Sequence, residues 1–571
     1  MPNESAVENS GRAENTRSVL ASNERKKEMF DSIKLRSKYI GSYSTGVRTS
    51  RTALVALIVP GLLFVLSTAV LAQNVIQAAP LNPKYLDYMA QKEAAGHTGA
   101  PLATARPGNH RTGLIPSRID FTHLRESSAS NIKPQGTSFP SSYDLRAHGM
   151  VTPVKDQGNC GSSWAFAAIA SVESTLMPAI ETNLSEEFII DTNGLDWGPC
   201  QGGYQLMAIA DMAAHGVIAQ NLAPYQYLPP TNPTPPAISS STSTGYGIHS
   251  VTLIAAGLNN NNEPITDNVK QQVYDGHAVA IGLDMIDQEP YLHQASNGDY
   301  CYYSGDKMPP SGTSHGVAVV GWNDDYPASK FKTKPPQNGA WLIRNSWGTW
   351  WGNQGYFWMS YYEPSVEPDA YSYRLLDPPS TYDWTYQYDP LGWTDSYGFG
   401  AGTGWMANVF RAVPQGQWIR AVSLYTYSPG TEYTVKIYDN CPTTSNSPVA
   451  GTLLVSESGT FNDAGYNTHT LKKPIRVSLG TVSSPANFSV VVKLTDPTGY
   501  SWPIPVQNTL GNETGPYSNG PSSRSTAFMG QSYMSPNGAA GTWIDLYSYS
   551  YDRSGKSTGS RACLKAFGTA K

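Results

Sequence analysis

Four stretches of the 571-residue chain carry the side chains that could do chemistry. They are PVKDQGNCGSSWAF (Pro153–Phe166), GPCQGGY (Gly198–Tyr204), SHGVAVVGW (Ser314–Trp322) and RNSWGTWWGNQGY (Arg344–Tyr356). Among them stand a hydroxyl at Ser163, an imidazole at His315, amides at Gln157 and Asn345, and thiols at Cys160 and Cys200. A serine hydroxyl is a weak acid, so it attacks a carbonyl only when a base takes its proton. An imidazole, titrating near neutrality, suits that task. No metal-ligand spacing, phosphate loop or dinucleotide fingerprint occurs, so the sequence implies neither a metal nor an organic cofactor.

Together these stretches resemble the papain family of cysteine peptidases, over residues ~140–363. YDLR (Tyr143–Arg146) and LSEE (Leu184–Glu187) fit the same pattern. The resemblance implies a two-lobed α+β fold, with the nucleophile opening a long helix and followed by Trp-Ala-Phe. That position is Ser163, where the family keeps cysteine. It further implies that Gln157, with the nucleophile's own N–H, stabilises an oxyanion, that His315 is the general base, that Asn345 orients the imidazole, and that Trp347 shields it. Gly202 and Gly203 fall where the family's cleft backbone pairs with an extended peptide. Cys160 and Cys200 match its first disulfide, while Thr192 stands in place of a second-bridge cysteine. Cys441 and Cys563 could pair with each other or stay free, leaving Cys301 as a buried thiol.

The serine changes the chemistry. A thiol at a helix N-terminus beside an imidazolium has its pKa lowered to roughly 3–4 and waits as a thiolate. The same field cannot ionise a hydroxyl. Two functions follow as expectations. One is a peptidase acting on extended polypeptides through an acyl-enzyme, slowed by the serine. The other is a pseudopeptidase whose cleft binds peptide or surface ligands without turnover.

The elements that must hold these residues are legible in part. WAFAAIASVESTL (Trp164–Leu176) and GYQLMAIADMAAHG (Gly203–Gly216) have helical apolar spacing, the second ending on a glycine suited to a helix C-terminus. His315–Trp322 and Ala340–Trp347 read as strands. From about residue 366 the texture becomes short alternating strands, such as Ala421–Tyr427, Thr431–Asp439 and Phe488–Leu494, which predict an all-β sandwich. Residues 397–440 resemble the lectin-like domain that follows bacterial papain-family peptidases. GLIPSRIDFTHL (Gly113–Leu124) is similar to a segment preceding the catalytic domain in those proteins. That resemblance allows a cell-surface or carbohydrate ligand for the β domain and names no contacting residue.

Ahead of these regions, Ala53–Ala72 runs twenty residues without a charge, behind Arg48 and Arg51. This is long enough to cross a bilayer. It reads either as a signal peptide cut after Ala72 or as an uncleaved anchor, and both place the rest of the chain outside the cytoplasm. The expected organisation is a basic cytoplasmic segment (1–52), a membrane or signal segment (53–72), a pro-segment or linker (73–139), a papain-like domain (140–365) and a lectin-like β domain (366–571). Net charge is −5 and charged residues make up 15%, against a usual ~25%. There is no clustered basic surplus, which argues against nucleic acid as a partner. With 52 Gly, 42 Pro and 35 Tyr, the composition argues against a long coiled coil or an all-helical bundle.

Overall fold

The computed structural model describes residues 75–98, 111–128, 138–180, 182–194, 200–226, 246–287, 289–305, 314–375, 382–442, 447–481, 483–508, 528–549 and 559–571. The cytoplasmic and membrane segments expected at 1–52 and 53–72 lie outside these. No helix among the described residues is long and apolar enough to cross a membrane.

Helix Ser163–Leu176 is buried along nearly its whole length, because four alanines (Ala165, Ala167, Ala168, Ala170) let neighbouring backbone approach from several sides. Helices Glu186–Thr192 and Gln205–His215 pack beside it. The first is capped by Ser185, whose hydroxyl accepts the Phe188 N–H at 3.0 Å. The second stops at Gly216, with φ +74° and its N–H on the Met212 carbonyl. Trp164, Ile169, Val172, Ile189 and Met212 are among the residues filling the space between them.

The second lobe is a sheet whose order runs Tyr356–Ser360, Ala340–Arg344, Ser314–Asn323, Val279–Asp284, Val366–Leu375, Ile248–Ala255. It does not end there. Strand Ala464–Arg476 pairs with Ile248–Ala255 (Ala464 opposite Leu253, Tyr466 opposite Val251) and carries the sheet on through Trp418–Thr426 and Leu564–Thr569. One sheet of thirteen strands therefore spans both lectin-like and peptidase regions. Strand Val366–Leu375, where the sequence texture changes, hydrogen-bonds to Val279–Asp284 and Ile248–Ala255.

The C-terminal part is a β-sandwich. A six-stranded sheet centred on Thr431–Asp439, Asn487–Thr495 and Thr403–Arg411 faces the extended sheet across a core of Met406, Phe410, Val422, Val435, Ile437 and Val490. The alternation in Thr431–Asp439 works as expected, with Val435 and Ile437 fully inside and Tyr433 partly so.

Cys160 and Cys200 form a disulfide. The pairing considered for Cys441 and Cys563 does not occur: both are buried thiols, as is Cys301. The Cys441 sulfur sits by the Pro448 carbonyl after strand Thr431–Asp439, whereas Cys563 sits by the Gly392 carbonyl, 3.3 Å away. Their positions follow from different sheets, which the sequence spacing could not reveal.

The residues preceding the peptidase lobe hold regular structure despite their weak apolar period. Gln77–Ala78 adds a short strand to Asp395–Gly398. Helix Pro83–Thr98 buries little more than Tyr85 and Met89, one turn apart, against Ile115. Two buried positions are too few to generate a sustained pattern.

Candidate active site

Ser163 opens the central helix at the seam between the lobes and is wholly buried. The disulfide to Cys200 holds the turn before it. Across the seam, Gly316 approaches so closely that a Cβ there would lie 2.9 Å from the Ser163 carbonyl oxygen. Only glycine permits that contact. It lets the Gly316 N–H donate to Ser163 Oγ at 3.1 Å and places His315, the preceding residue, at the helix start.

His315 lies on strand Ser314–Asn323, and Asn345 directly follows the neighbouring strand Ala340–Arg344. Nε2 of the imidazole lies 2.7 Å from Asn345 Oδ1, which also accepts the Ser346 N–H at 2.8 Å. The Ser346 N–H identifies that atom as the amide oxygen, an acceptor only, so the ring nitrogen facing it must donate. The imidazole therefore carries its proton on Nε2, and the lone pair of the neutral ring is on Nδ1. Trp347 stacks on the imidazole with centroids 4.6 Å apart and is braced edge-on by Trp351. His315, Asn345 and Trp347 are all buried, so bulk water does not compete for the His–Asn hydrogen bond.

Gln157 is fully buried. Its Oε1 accepts the Ser346 hydroxyl at 2.6 Å, and its Nε2 donates to the Cys160 carbonyl at 2.7 Å and to the Arg111 carbonyl at 2.8 Å. The last partner is informative. Residues 111–115 lie in the cleft as an extended chain: the Gly113 and Leu114 amides donate to the Ser314 carbonyl, and Leu114 pairs in parallel with Gly203. Gly203 itself is pressed against Trp164, where a Cβ would meet the indole at 2.5 Å, and Gly202 has φ +94°. The structure thus brings Gln157, Ser163, His315, Asn345 and Trp347 into one site, with the paired glycines lining its groove.

Beneath the site lies a charge network that sequence reading missed, although its members Lys155, Glu173, Glu186 and Arg344 all fall within the quoted stretches. Lys155 bridges Glu173 (2.9 Å) and Glu186 (2.8 Å), and Arg344, beside Asn345, approaches Glu173 at 3.6 Å. Burial pushes the Glu186 carboxyl up to about 7 even though Lys155 opposes it. Sequence reading also missed that Arg111–Ile115 fills the cleft. The signal was present, since Gly113–Leu124 had been singled out, but nothing local says where such a segment docks.

A two-lobed fold with an Asn-held imidazole at the start of a central helix defines a papain-like peptidase domain. The comparisons agree. Residues 139–370 match the family described as papain family cysteine protease, and residues 385–568 match the lectin like domain. Among curated proteins, cathepsin L of Sarcophaga peregrina is 29% identical over 286 residues, 48% of this chain and 72% of that one. Papain of Carica papaya is 29% identical over 290 residues, 48% of this chain and 71% of its own. Cysteine endopeptidase Rep1 of Oryza sativa subsp. japonica is 31% identical over 225 residues, covering 38% and 53%. A crystal structure of the cysteine protease and lectin-like domains of Cwp84, a surface layer associated protein of Clostridium difficile, superposes with a TM-score of 0.65 at 21% identity. It covers 87% of this chain and 98% of that one. The chain therefore carries a papain-like peptidase domain followed by an all-β lectin-like domain.

Proposed function

We propose that this protein is an exported papain-type peptidase acting on extended polypeptides, with Ser163 as its nucleophile and turnover lowered by that serine. Ser163 Oγ attacks the scissile carbonyl carbon while its proton passes to His315 Nδ1. Gln157 Nε2 and the Ser163 N–H hold the oxyanion. The imidazolium then protonates the leaving amine, and water, deprotonated by the same nitrogen, hydrolyses the acyl ester. Asn345 keeps the other nitrogen protonated throughout. Export is supported by the uncharged run Ala53–Ala72 and by the disulfide, which suits an oxidising compartment. The similar Cwp84 is itself described as surface-layer associated.

One observation carries the reading. An extended segment of this chain already lies along Gly203 with the Arg111 carbonyl on the Gln157 amide, which supports a groove that takes extended polypeptide. Residues 111–115 then act as part of a pro-segment that must leave first. A second reading, a peptide-binding pseudopeptidase, is favoured by the neutral hydroxyl at residue 163. The test is peptide hydrolysis by the full chain with its cleft cleared by Gly113→Val, with and without Ser163→Cys. Slow but measurable hydrolysis that the cysteine accelerates supports the peptidase. Hydrolysis by the cysteine form alone supports the pseudopeptidase, and no hydrolysis by either overturns the peptidase reading.

A further inference from the structure

A cavity of about 190 Å³ lies where the segment ahead of the peptidase lobe meets the lectin-like domain. Residues 79–81 and 118–120 of that segment form one side, and Asp395, Ser396, Tyr427, Tyr500 and Trp502 form the other. Bonds around the cavity tie the two sides together. The Ala79 N–H donates to the Ser396 carbonyl at 2.8 Å, and the Tyr427 hydroxyl donates to the Asp120 carbonyl at 2.9 Å. The Arg118 guanidinium pairs with Asp395 at 3.2 Å. The aromatic wall is braced in turn. Tyr427 stacks on Tyr500 at 3.6 Å and on His123 at 3.7 Å, nearly parallel to both, and Tyr500 meets Trp502 edge-on at 5.5 Å. A Cβ at Gly398 would strike the Ser501 carbonyl, so the backbone carrying Trp502 is pressed onto strand Asp395–Gly398.

These walls select a ligand class. The space far exceeds the ~10–15 Å³ that one water needs and falls below the ~300–1,000 Å³ of pockets for drug-sized molecules, so it suits one small ring. The Trp502 indole N–H is buried with no hydrogen-bond partner among the described residues, a donor in need of an acceptor. Asp120, whose carboxylate spends one oxygen on the Thr122 N–H, calls for donors in return. A purely apolar ligand would leave both unmet. An anion would face Asp120, while the guanidinium of Arg118 is already spent on Asp395, the Thr394 carbonyl and the Tyr85 hydroxyl. A cation cannot accept from Trp502, and the Tyr427 faces it would seek are covered by His123 and Tyr500. A compact ring bearing several hydroxyls supplies acceptors and donors together, with C–H groups for the aromatic wall.

We infer that this cavity binds one neutral saccharide ring, and that the bound ring fastens the segment ahead of the peptidase lobe to the lectin-like domain. The inference goes beyond peptide cleavage and does not depend on what the hydroxyl of Ser163 can do. Both sides contribute walls, so a ligand that binds only the closed seam stabilises it by mass action. Saccharide outside the cleft thereby opposes departure of the segment that runs through it.

The test uses the full chain, with glucose, galactose, mannose and N-acetylglucosamine as probes titrated by saturation-transfer difference NMR. At least one should bind with a Kd in the millimolar range, as befits so small a ligand. At about ten times that Kd, exchange of the Ala79 amide should slow by about tenfold, because that amide is released only when the seam opens. Strand Thr431–Asp439, on the far sheet, should not change. Trp502→Phe keeps a ring and removes the N–H, and it should weaken binding about fivefold or more. Asp120→Asn should weaken it as well, and unaltered exchange in Thr431–Asp439 shows that both variants fold. A disaccharide ending in the preferred sugar separates two sources. Equal or tighter binding identifies the end of a glycan chain, and weaker binding identifies a free sugar. Failure of every probe to bind, binding that leaves Ala79 exchange unchanged, or binding indifferent to Trp502→Phe overturns the inference.

Discussion

Ser163 Oγ accepts the Gly316 N–H across the lobe interface at 3.1 Å, tying the nucleophile's oxygen to the residue beside the imidazole. This hydrogen bond fixes the oxygen and does nothing to ionise it. A sulfur at the same place, at a helix N-terminus beside an imidazole, would be a thiolate. With the cleft cleared, Ser163→Cys should therefore raise peptide turnover by at least ~10³-fold, the scale on which single catalytic groups are lost or gained. Steady-state hydrolysis of a fluorogenic peptide reads this directly. A thiol-directed epoxide gives an independent check: mass spectrometry should find it on the cysteine variant and not on the parent. The parent's free thiols, Cys301, Cys441 and Cys563, are buried, and burial raises their pKa values. Equal rates would mean the site ionises a hydroxyl after all.

Gly113 is the weak point of the segment in the cleft. A Cβ there would stand 2.2 Å from the Gly161 carbonyl carbon, which is backbone and cannot move aside. Gly113→Val should push residues 111–115 out of the groove while leaving the Gln77–Ala78 strand paired with Asp395–Gly398. The measurable outcome is faster proteolytic nicking near residue 111 and faster exchange of the Gly203 amide, which now donates to Gly113 O. Unchanged exchange at Gly203 would show that the segment tolerates the clash.

What the sequence made legible was short-range. Gln157, Cys160 and Ser163 sit within seven residues because one tight turn must place all three, and glycine at 316 follows from the close lobe contact. Such constraints leave a local signature. The pairing of Leu253 with Ala464, which fuses the two sheets, leaves none, because any two alternating strands present the same pattern to each other. The Lys84–Glu367 ion pair joins residues 283 positions apart and is likewise silent in the sequence. Helix Pro83–Thr98 escaped because its buried stripe is two residues deep.

Glu187 gives a pH prediction. Burial, opposed by the Gln226 N–H, lifts its carboxyl from an ordinary 4.5 to about 7. Between pH 4.5 and about 7 the folded chain keeps a proton that the unfolded chain has shed. The folded state binds more protons in that window, so this group makes stability fall as pH rises, with no further change above it. Glu187→Gln should match the parent near pH 4.5 and exceed it at pH 8, by ~1–3 kcal/mol. Urea unfolding at the two pH values measures the difference. A variant advantage that shrinks with rising pH would reverse the sign and refute the assignment.

The Asp389–Lys565 pair makes the last prediction, because within the lectin-like domain it anchors the turn that packs against the peptidase lobe. The two side chains are almost wholly buried and meet at 2.5 Å, with Lys565 Nζ also 3.4 Å from the Asp389 carbonyl. The turn that starts at Asp389 carries Gly392 (φ +68°) against Ala210 and Leu206, on the helix that follows Gly203. Lys565→Met leaves the carboxylate buried without its ion-pair partner, with Arg561 as the remaining nearby cation, which costs ~3–5 kcal/mol. Replacing both members with apolar residues (Asp389→Leu with Lys565→Met) should recover most of that loss, since the desolvation penalty goes with the charges. The single variant should also loosen helix Gln205–His215, seen as faster amide exchange there than in strand Thr431–Asp439 on the far sheet. If exchange rises only in the lectin-like strands, the turn is not what couples the two domains, and the continuous sheet through Leu253 and Ala464 must carry the connection instead.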